Sequence, residues 1–173
     1  YPYALTKLLG EQIMLDWSKV YDLPVISLRL FNVYGTRSRT SGTYGAVFGV
    51  FLAQKLAKKA FTVVGDGSQT RSFCFVDDLI DGIFKFLETP RGRFHDLSDR
   101  VINLGNPEEF TISEVANFEK RITRSSSDIK HLPLPEDDAK VRRPDITKAA
   151  KFLNWCPTIS LEEGLKRTID SFK

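Results

Sequence analysis

Tyr1-Pro2-Tyr3-Ala4-Leu5-Thr6-Lys7-Leu8-Leu9-Gly10-Glu11 opens the chain and decides how the rest is read. Tyr3 and Lys7 are four apart, so on a helix their side chains lie one above the other on a single face. A phenol is a poor acid or base near neutral pH, its unperturbed pKa being about 10. An ammonium beside it favours the phenolate and brings that value toward the working range. Pro2 suits a first helical turn, where no backbone N–H is needed. Tyr1 has no such partner, since the residue four beyond it is Leu5. Taken alone, the pair is also what an ordinary amphipathic helix carries, so its meaning depends on what surrounds it.

Outward from the pair, Leu5, Leu8, Leu9, Ile13, Met14, Trp17 and Val20 recur at helical spacing. Asp22-Leu23-Pro24 ends that helix, and Val25-Ile26-Ser27-Leu28-Arg29-Leu30 reads as a buried parallel strand. Phe31-Asn32-Val33-Tyr34-Gly35 follows at its carboxyl end, where open α/β sheets place their ligands. The polar stretch 36–44 has the composition of a mobile lid, a substrate loop or a plain surface loop. A helix is expected over 46–58, a strand over 61–64, a hairpin turn at Gly65-Asp66-Gly67-Ser68 and a second strand over 71–75. Val76-Asp77-Asp78-Leu79 opens a helix to about residue 88, with its carboxylates at the positive end of the dipole. Residues 90–100 read as an exposed loop and 101–105 as a strand. Thr111-Ile112-Ser113-Glu114 is a capping box that starts a helix to about 123. A polar linker, a short strand over 129–132, an extended stretch over 133–143 and helices over 147–153 and from the capping box Ser160-Leu161-Glu162-Glu163 complete the chain. No internal repeat is present.

At 173 residues, with 42% hydrophobic and 27% charged, the composition is that of an ordinary globular protein able to bury one good core. The net charge of +3 comes from 25 basic against 22 acidic residues, well mixed, which argues against a nucleic-acid partner. Cys74 and Cys156 fit neither a metal spacing nor a disulfide framework, so a cytoplasmic, reducing setting is expected. No apolar run approaches the roughly 20 residues that span a bilayer, so no membrane partner is expected. His95 and His131 have no second ligand at metal spacing, and no metal is expected. The chain has no Gly-rich βα turn of the kind that cradles a pyrophosphate. It is therefore expected to be the C-terminal half of a longer protein.

The runs YPYALTKLLGEQ, SLRLFNVYGTR and VVGDGSQTRSFCFVDDL resemble the short-chain dehydrogenase/reductase superfamily, and within it the extended branch of nucleotide-sugar epimerases, dehydratases and decarboxylases. Tyr3 and Lys7 match its Tyr-x-x-x-Lys signature, and the resemblance covers nearly the whole chain. It implies an α/β fold: the C-terminal part of a Rossmann-like doubly wound parallel sheet, plus a smaller α/β substrate-binding lobe. Residues 1–36 and 71–106 would belong to the dinucleotide-binding domain, and 37–70 with 107–173 to the lobe. It also implies NAD as cofactor, a nucleotide-sugar substrate, partnership as a homodimer through the helix from Tyr3 to about Val20, and an upstream Ser or Thr beside the tyrosine.

Residue by residue, the resemblance makes Tyr3 the acid/base on a sugar hydroxyl and Lys7 its tuning partner and a ligand of the nicotinamide ribose. Leu30 and Val33 would present backbone to the carboxamide. Asn32, Arg71 and Arg142 would contact the substrate diphosphate, with Arg143 one residue away as the alternative to Arg142; a guanidinium fork suits phosphate oxygens. Ala46 and Val47, at a helix start, would offer N–H groups to the nucleotide. Among the reactions of the branch, Leu8 directly after Lys7 resembles the epimerases. PEDDAKVRRPDI at 135–146 resembles the decarboxylases, although Ala139 stands where they more often have Pro. Thr36 replaces a proline often found after Tyr-Gly. The expected activity is that of a UDP-sugar 4-epimerase, with UDP-glucuronate decarboxylase or dTDP-glucose 4,6-dehydratase as alternatives. A non-catalytic lobe that binds a nucleotide-sugar or self-associates is the alternative of a different class.

Overall fold

The computed structural model describes residues 2–40, 47–94, 96–133 and 141–172. In chain order these form α1 (Pro2–Tyr21), β1 (Ser27–Leu30), β2 (Val33–Tyr34), α2 (Val47–Leu56), β3 (Phe61–Val64), β4 (Thr70–Ser72), β5 (Cys74–Phe75) and α3 (Val76–Glu88). After two short 3₁₀ turns, Arg91–Arg93 and Leu97–Arg100, come β6 (Val101–Leu104), β7 (Glu109–Thr111), α4 (Ile112–Thr123), β8 (Ile129–Leu132), β9 (Val141–Arg142), α5 (Thr147–Leu153) and α6 (Leu161–Asp170). Strands and helices alternate, and the pairings β1–β6, β2–β5, β3–β8 and β4–β9 are all parallel, as an α/β fold requires. Among the described strands only β7 runs antiparallel to its neighbour, β4.

Three local expectations are corrected. The strand expected over 71–75 breaks at Phe73, whose ring is buried among Tyr34 and Phe48. Its two pieces enter different sheets, β4 between β7 and β9, and β5 beside β2. Gly65 to Ser68 is consequently not a hairpin turn, because β3 pairs with β8 and never with β4. Its glycines take left-handed φ values of 69° and 79° and lay the turn on the start of α4, where Gly67 O accepts from Ser113 N (3.1 Å). A side chain at Gly67 would collide with Ser113 Oγ. The loop expected at 90–100 buries Phe94 against Phe152, while Arg93 donates to Phe152 O (3.2 Å).

Two apolar clusters fill the interior. One gathers Tyr34, Phe48, Phe51, Phe61, Phe75 and Val115 beneath α2, α4 and α6. The other joins Cys74, Leu79, Ile102 and Leu104 to Ala149, Phe152 and Trp155, so α5 packs on β6 rather than with the elements that precede it. Asp78 fastens the two. It stands in the first turn of α3 as expected of a dipole partner, and beyond that it is buried and accepts from Thr158 N (3.0 Å), Thr158 Oγ1 (2.9 Å) and Ile159 N (3.0 Å), while its carbonyl accepts from Trp155 Nε1 (3.0 Å). Asp77 stays outside, 3.4 Å from Arg167. Thr111 and Glu114 form the expected reciprocal capping box on α4. Farther along that helix Glu119 is buried, and among the described residues neither of its carboxylate oxygens has a hydrogen-bond partner.

Candidate active site

Helix α1 is held mainly by polar contacts. Of its 20 residues only Leu15 and Ser18 are buried. Near its C-terminal end Ser18 Oγ donates to Leu23 O (2.7 Å) and accepts from Arg100 Nη1 (2.6 Å), just before β6 begins. Midway, Glu11 takes Arg29 of β1 in a two-pronged contact, Nε to Oε2 at 2.8 Å and Nη2 to Oε1 at 2.6 Å, and Ser27 Oγ donates to the same Oε2 at 2.9 Å. The guanidinium beside Glu11 holds its carboxyl below the usual range, and the carboxylate raises Arg29 in turn. These anchors run the helix antiparallel to β1. From Glu11, Tyr3 lies eight residues and thus about 12 Å back along the axis, toward the carboxyl end of β1.

At that end Lys7 Nζ stands 5.3 Å from the centre of the Tyr3 ring, so the two side chains share one face of α1. Tyr3 is 61% exposed. Leu30, the last residue of β1, is also exposed, whereas Val33 packs against the cluster around Ile102. Between them Asn32 turns the chain with φ of 39°. Its Nδ2 donates to Ser72 O (2.8 Å), and its carbonyl accepts from Cys74 N (3.2 Å).

The remaining candidates meet on β4. Arg71 and Arg142 are register partners on the parallel strands β4 and β9, and side chains at such positions stand on the same face about 4.8 Å apart. Arg71 Nη1 donates to Thr70 O (2.7 Å). Arg143 points elsewhere, 3.8 Å from Glu109, whose Oε1 accepts from Thr70 Oγ1 (2.7 Å). Ser72, a residue that sequence reasoning passed over, connects the set: its carbonyl receives Asn32 and its Oγ donates to Arg142 O (3.2 Å). No sequence signal marks it, because both partners are distant in the chain. Val47 begins α2 and packs on the first cluster, while Ala46 and His95 lie outside the described residues. His131 Nδ1 is 2.8 Å from Gly65 O. Among the described residues no group of His, Cys, Asp or Glu is placed to hold a metal ion.

The arrangement offers a phenol with a neighbouring cation, a pairing suited to proton transfer, and it sets Arg71 beside Arg142 in the strand register. Comparison with known proteins points the same way. A profile of the NAD dependent epimerase/dehydratase family matches residues 1–105. UDP-glucuronic acid decarboxylase 1 of Arabidopsis thaliana is 40% identical over 173 residues, covering 99% of this chain and 37% of the relative. Among solved structures, the UDP-glucuronic acid 4-epimerase of Bacillus cereus in complex with UDP-glucuronic acid and NAD matches with a TM-score of 0.87 and 34% identity, over 99% of this chain and 52% of that one. The UDP-glucose 4-epimerase of Thermotoga maritima with UDP-glucose gives 0.88 and 30%, over 99% and 53%. The chain thus spans about half the length, or less, of the relatives it matches.

Proposed function

Since the chain belongs to the NAD-dependent epimerase/dehydratase family, we propose that it is the substrate-facing part of a UDP-sugar 4-epimerase. The observation that carries this is the Tyr3–Lys7 pair, stacked on one exposed face of α1, together with the strand register that pairs Arg71 with Arg142. Arg71 and Arg142 grip the substrate diphosphate, and Asn32, whose NH₂ has a second proton to give, adds a neutral donor. Val47, with Ala46 before it, lines the nucleotide side. Gripping the diphosphate leaves the sugar to reach toward Tyr3. The phenolate takes the proton of the C4 hydroxyl, and the Lys7 ammonium stabilises the phenolate. Lys7 would also bond the ribose of a bound NAD, and Leu30 and Val33 would present backbone to its carboxamide. Bound NAD supplies the two-electron oxidant at C4. Once the 4-keto sugar has turned its other face, the hydride taken from C4 would return to that face and Tyr3 would give the proton back to the C4 oxygen, which completes the C4 epimer.

On this reading 1–36 and 71–106 belong to the dinucleotide-binding sheet, and 37–70 with 107–173 to the substrate lobe, α5 reaching back to pack on β6. The outer face of α1, with Leu8, Leu9, Met14 and Trp17 exposed, is the seam of a homodimer. A reducing cytoplasm suits the free thiols of Cys74 and Cys156. No described helix is long and apolar enough to cross a membrane.

The plant relative at 40% identity favours a second reading, UDP-glucuronate decarboxylase. Its first step is the same. The C4 ketone then makes the C5 carboxylate a β-keto acid, which loses CO₂. Incubation of the full-length protein and NAD with UDP-glucose, UDP-galactose and UDP-glucuronate, followed by product separation, tells the two apart. A C4 epimer of unchanged mass is expected. A pentose product from UDP-glucuronate transfers the assignment to the decarboxylase, and no turnover of any of the three overturns both.

A further inference from the structure

Lys7 has a potential partner one turn away on either side. Tyr3 lies four residues before it and Glu11 four residues after, and both positions fall on its own face of α1. A carboxylate is the stronger attractor for an ammonium than a phenol ring is. Yet Lys7 leans over Tyr3, because both oxygens of Glu11 are taken by Arg29 and one of them also by Ser27. The Glu11 side chain is only 11% exposed, against 49% for Arg29, so the carboxylate is drawn down onto β1 and away from the helix surface. We infer that Arg29 is a positioning residue for the Tyr3–Lys7 pair: by holding Glu11 against β1 it keeps the Lys7 ammonium beside the Tyr3 phenol. Strand β1 thereby acts on the proton-transfer group through two intermediaries on α1.

Loss of the guanidinium leaves a largely buried carboxylate without a counter-charge, a state that recruits the nearest cation. On α1 that cation is Lys7. An i,i+4 contact between Lys7 and Glu11 then draws the ammonium one turn away from Tyr3. Removing the carboxylate as well abolishes the competition, although it does nothing to restore the link between helix and strand. A purely mechanical clamp and a charge-partitioning one therefore make opposite predictions for the double substitution.

The inference rests on the proposed role of Tyr3 and Lys7, so its test includes a readout independent of turnover. In the full-length protein, Arg29→Met is expected to lower kcat about tenfold with KM for the UDP-sugar little changed, and to move the acid limb of the pH–rate profile to higher pH. Arg29→Met with Glu11→Gln is expected to recover kcat to within about threefold of the parent, although both variants melt earlier than the parent. Arg29→Lys, which keeps a cation for Glu11, is expected to stay within about threefold as well and covers the case in which Arg29→Met does not fold. Without substrate, modification of Lys7 by an amine-reactive reagent, followed by mass spectrometry, is expected to slow about twofold in Arg29→Met and to recover in the double variant. A double variant as slow as Arg29→Met, with Lys7 labelling unchanged across the set, overturns the inference. If Tyr3→Phe turns over normally while the labelling follows the expected order, the failure belongs to the proposed function and the clamp stands.

Discussion

The proposed acid/base pair and the proposed anion site are built in opposite ways. Tyr3 and Lys7 stand on an exposed helix whose attachment is polar, whereas Arg71 stands in a sheet, nine-tenths buried, with Ser72 beside it fully enclosed. The first arrangement is local: one turn of helix brings two side chains together, and Glu11 and Ser18 set where that turn points. The second exists only after β9 has paired with β4, across 70 residues from Ser72 to Arg142. A group that must reach a reacting hydroxyl is displayed at the surface. The proposed grip on a constant part of the substrate is set into the interior, where the apolar cluster around Phe73 and Phe75 keeps the strands in place.

The largest effect that separates the two is expected from Tyr3→Phe in the full-length protein. Turnover should fall by about 10² to 10⁴, the usual contribution of an acid/base group, while UDP-sugar affinity is kept. The next largest is on stability. Asp78→Ala removes the acceptor of three hydrogen bonds from Thr158 and Ile159 and leaves buried donors unpaired. A loss of about 3 kcal/mol is expected in urea unfolding, and Asp77→Ala, at the exposed neighbour, should cost less than about 0.5 kcal/mol. Arg71→Ala follows, and should weaken UDP binding about tenfold or more by calorimetry, with a smaller effect on the chemical step. Unchanged binding would return Arg71 to a structural role in β4.

The smallest concerns Glu119. Burial pushes its carboxyl up to about 9, against 4.5 for the free side chain. In that window the folded state holds a proton that the unfolded chain releases, so stability is highest below the unfolded value and declines as pH rises toward 9. The thermal midpoint is expected to drift down between those limits, and Glu119→Gln should flatten the slope. A midpoint with the same pH dependence in both proteins would contradict this. Glu119 lies on α4, which packs beside α2 and α6.

How much of this the chain disclosed follows the same division. Tyr3 with Lys7 and Thr111 with Glu114 were legible because each is a relation over three or four residues on one helix, where geometry follows from spacing alone. The alternation of strands and helices was legible from periodicity. The choice between Arg142 and Arg143 was not, since it depends on the register of a two-residue strand against β4. Nor was the break at Phe73, because nothing local distinguishes a continuous strand from two that enter different sheets. Asp78 looked like a dipole partner because sequence shows its helix position but not the Thr158 segment that folds over it. Phe94 was hidden in a run of polar residues. The Arg29–Glu11 contact fell between two recognised motifs and needed a helix laid on a strand to appear.

The central claim is that Tyr3, with Lys7 beside it, moves the proton of a sugar C4 hydroxyl while C4 is transiently oxidised. Full-length protein with NAD and UDP-glucose deuterated at C4 tests this most directly, with product analysed by mass spectrometry and NMR. The expected result is UDP-galactose that keeps its deuterium at C4, formed at a rate that falls at least about 100-fold in Tyr3→Phe. Deuterium washed out to solvent, or the same product at the same rate from Tyr3→Phe, would contradict it.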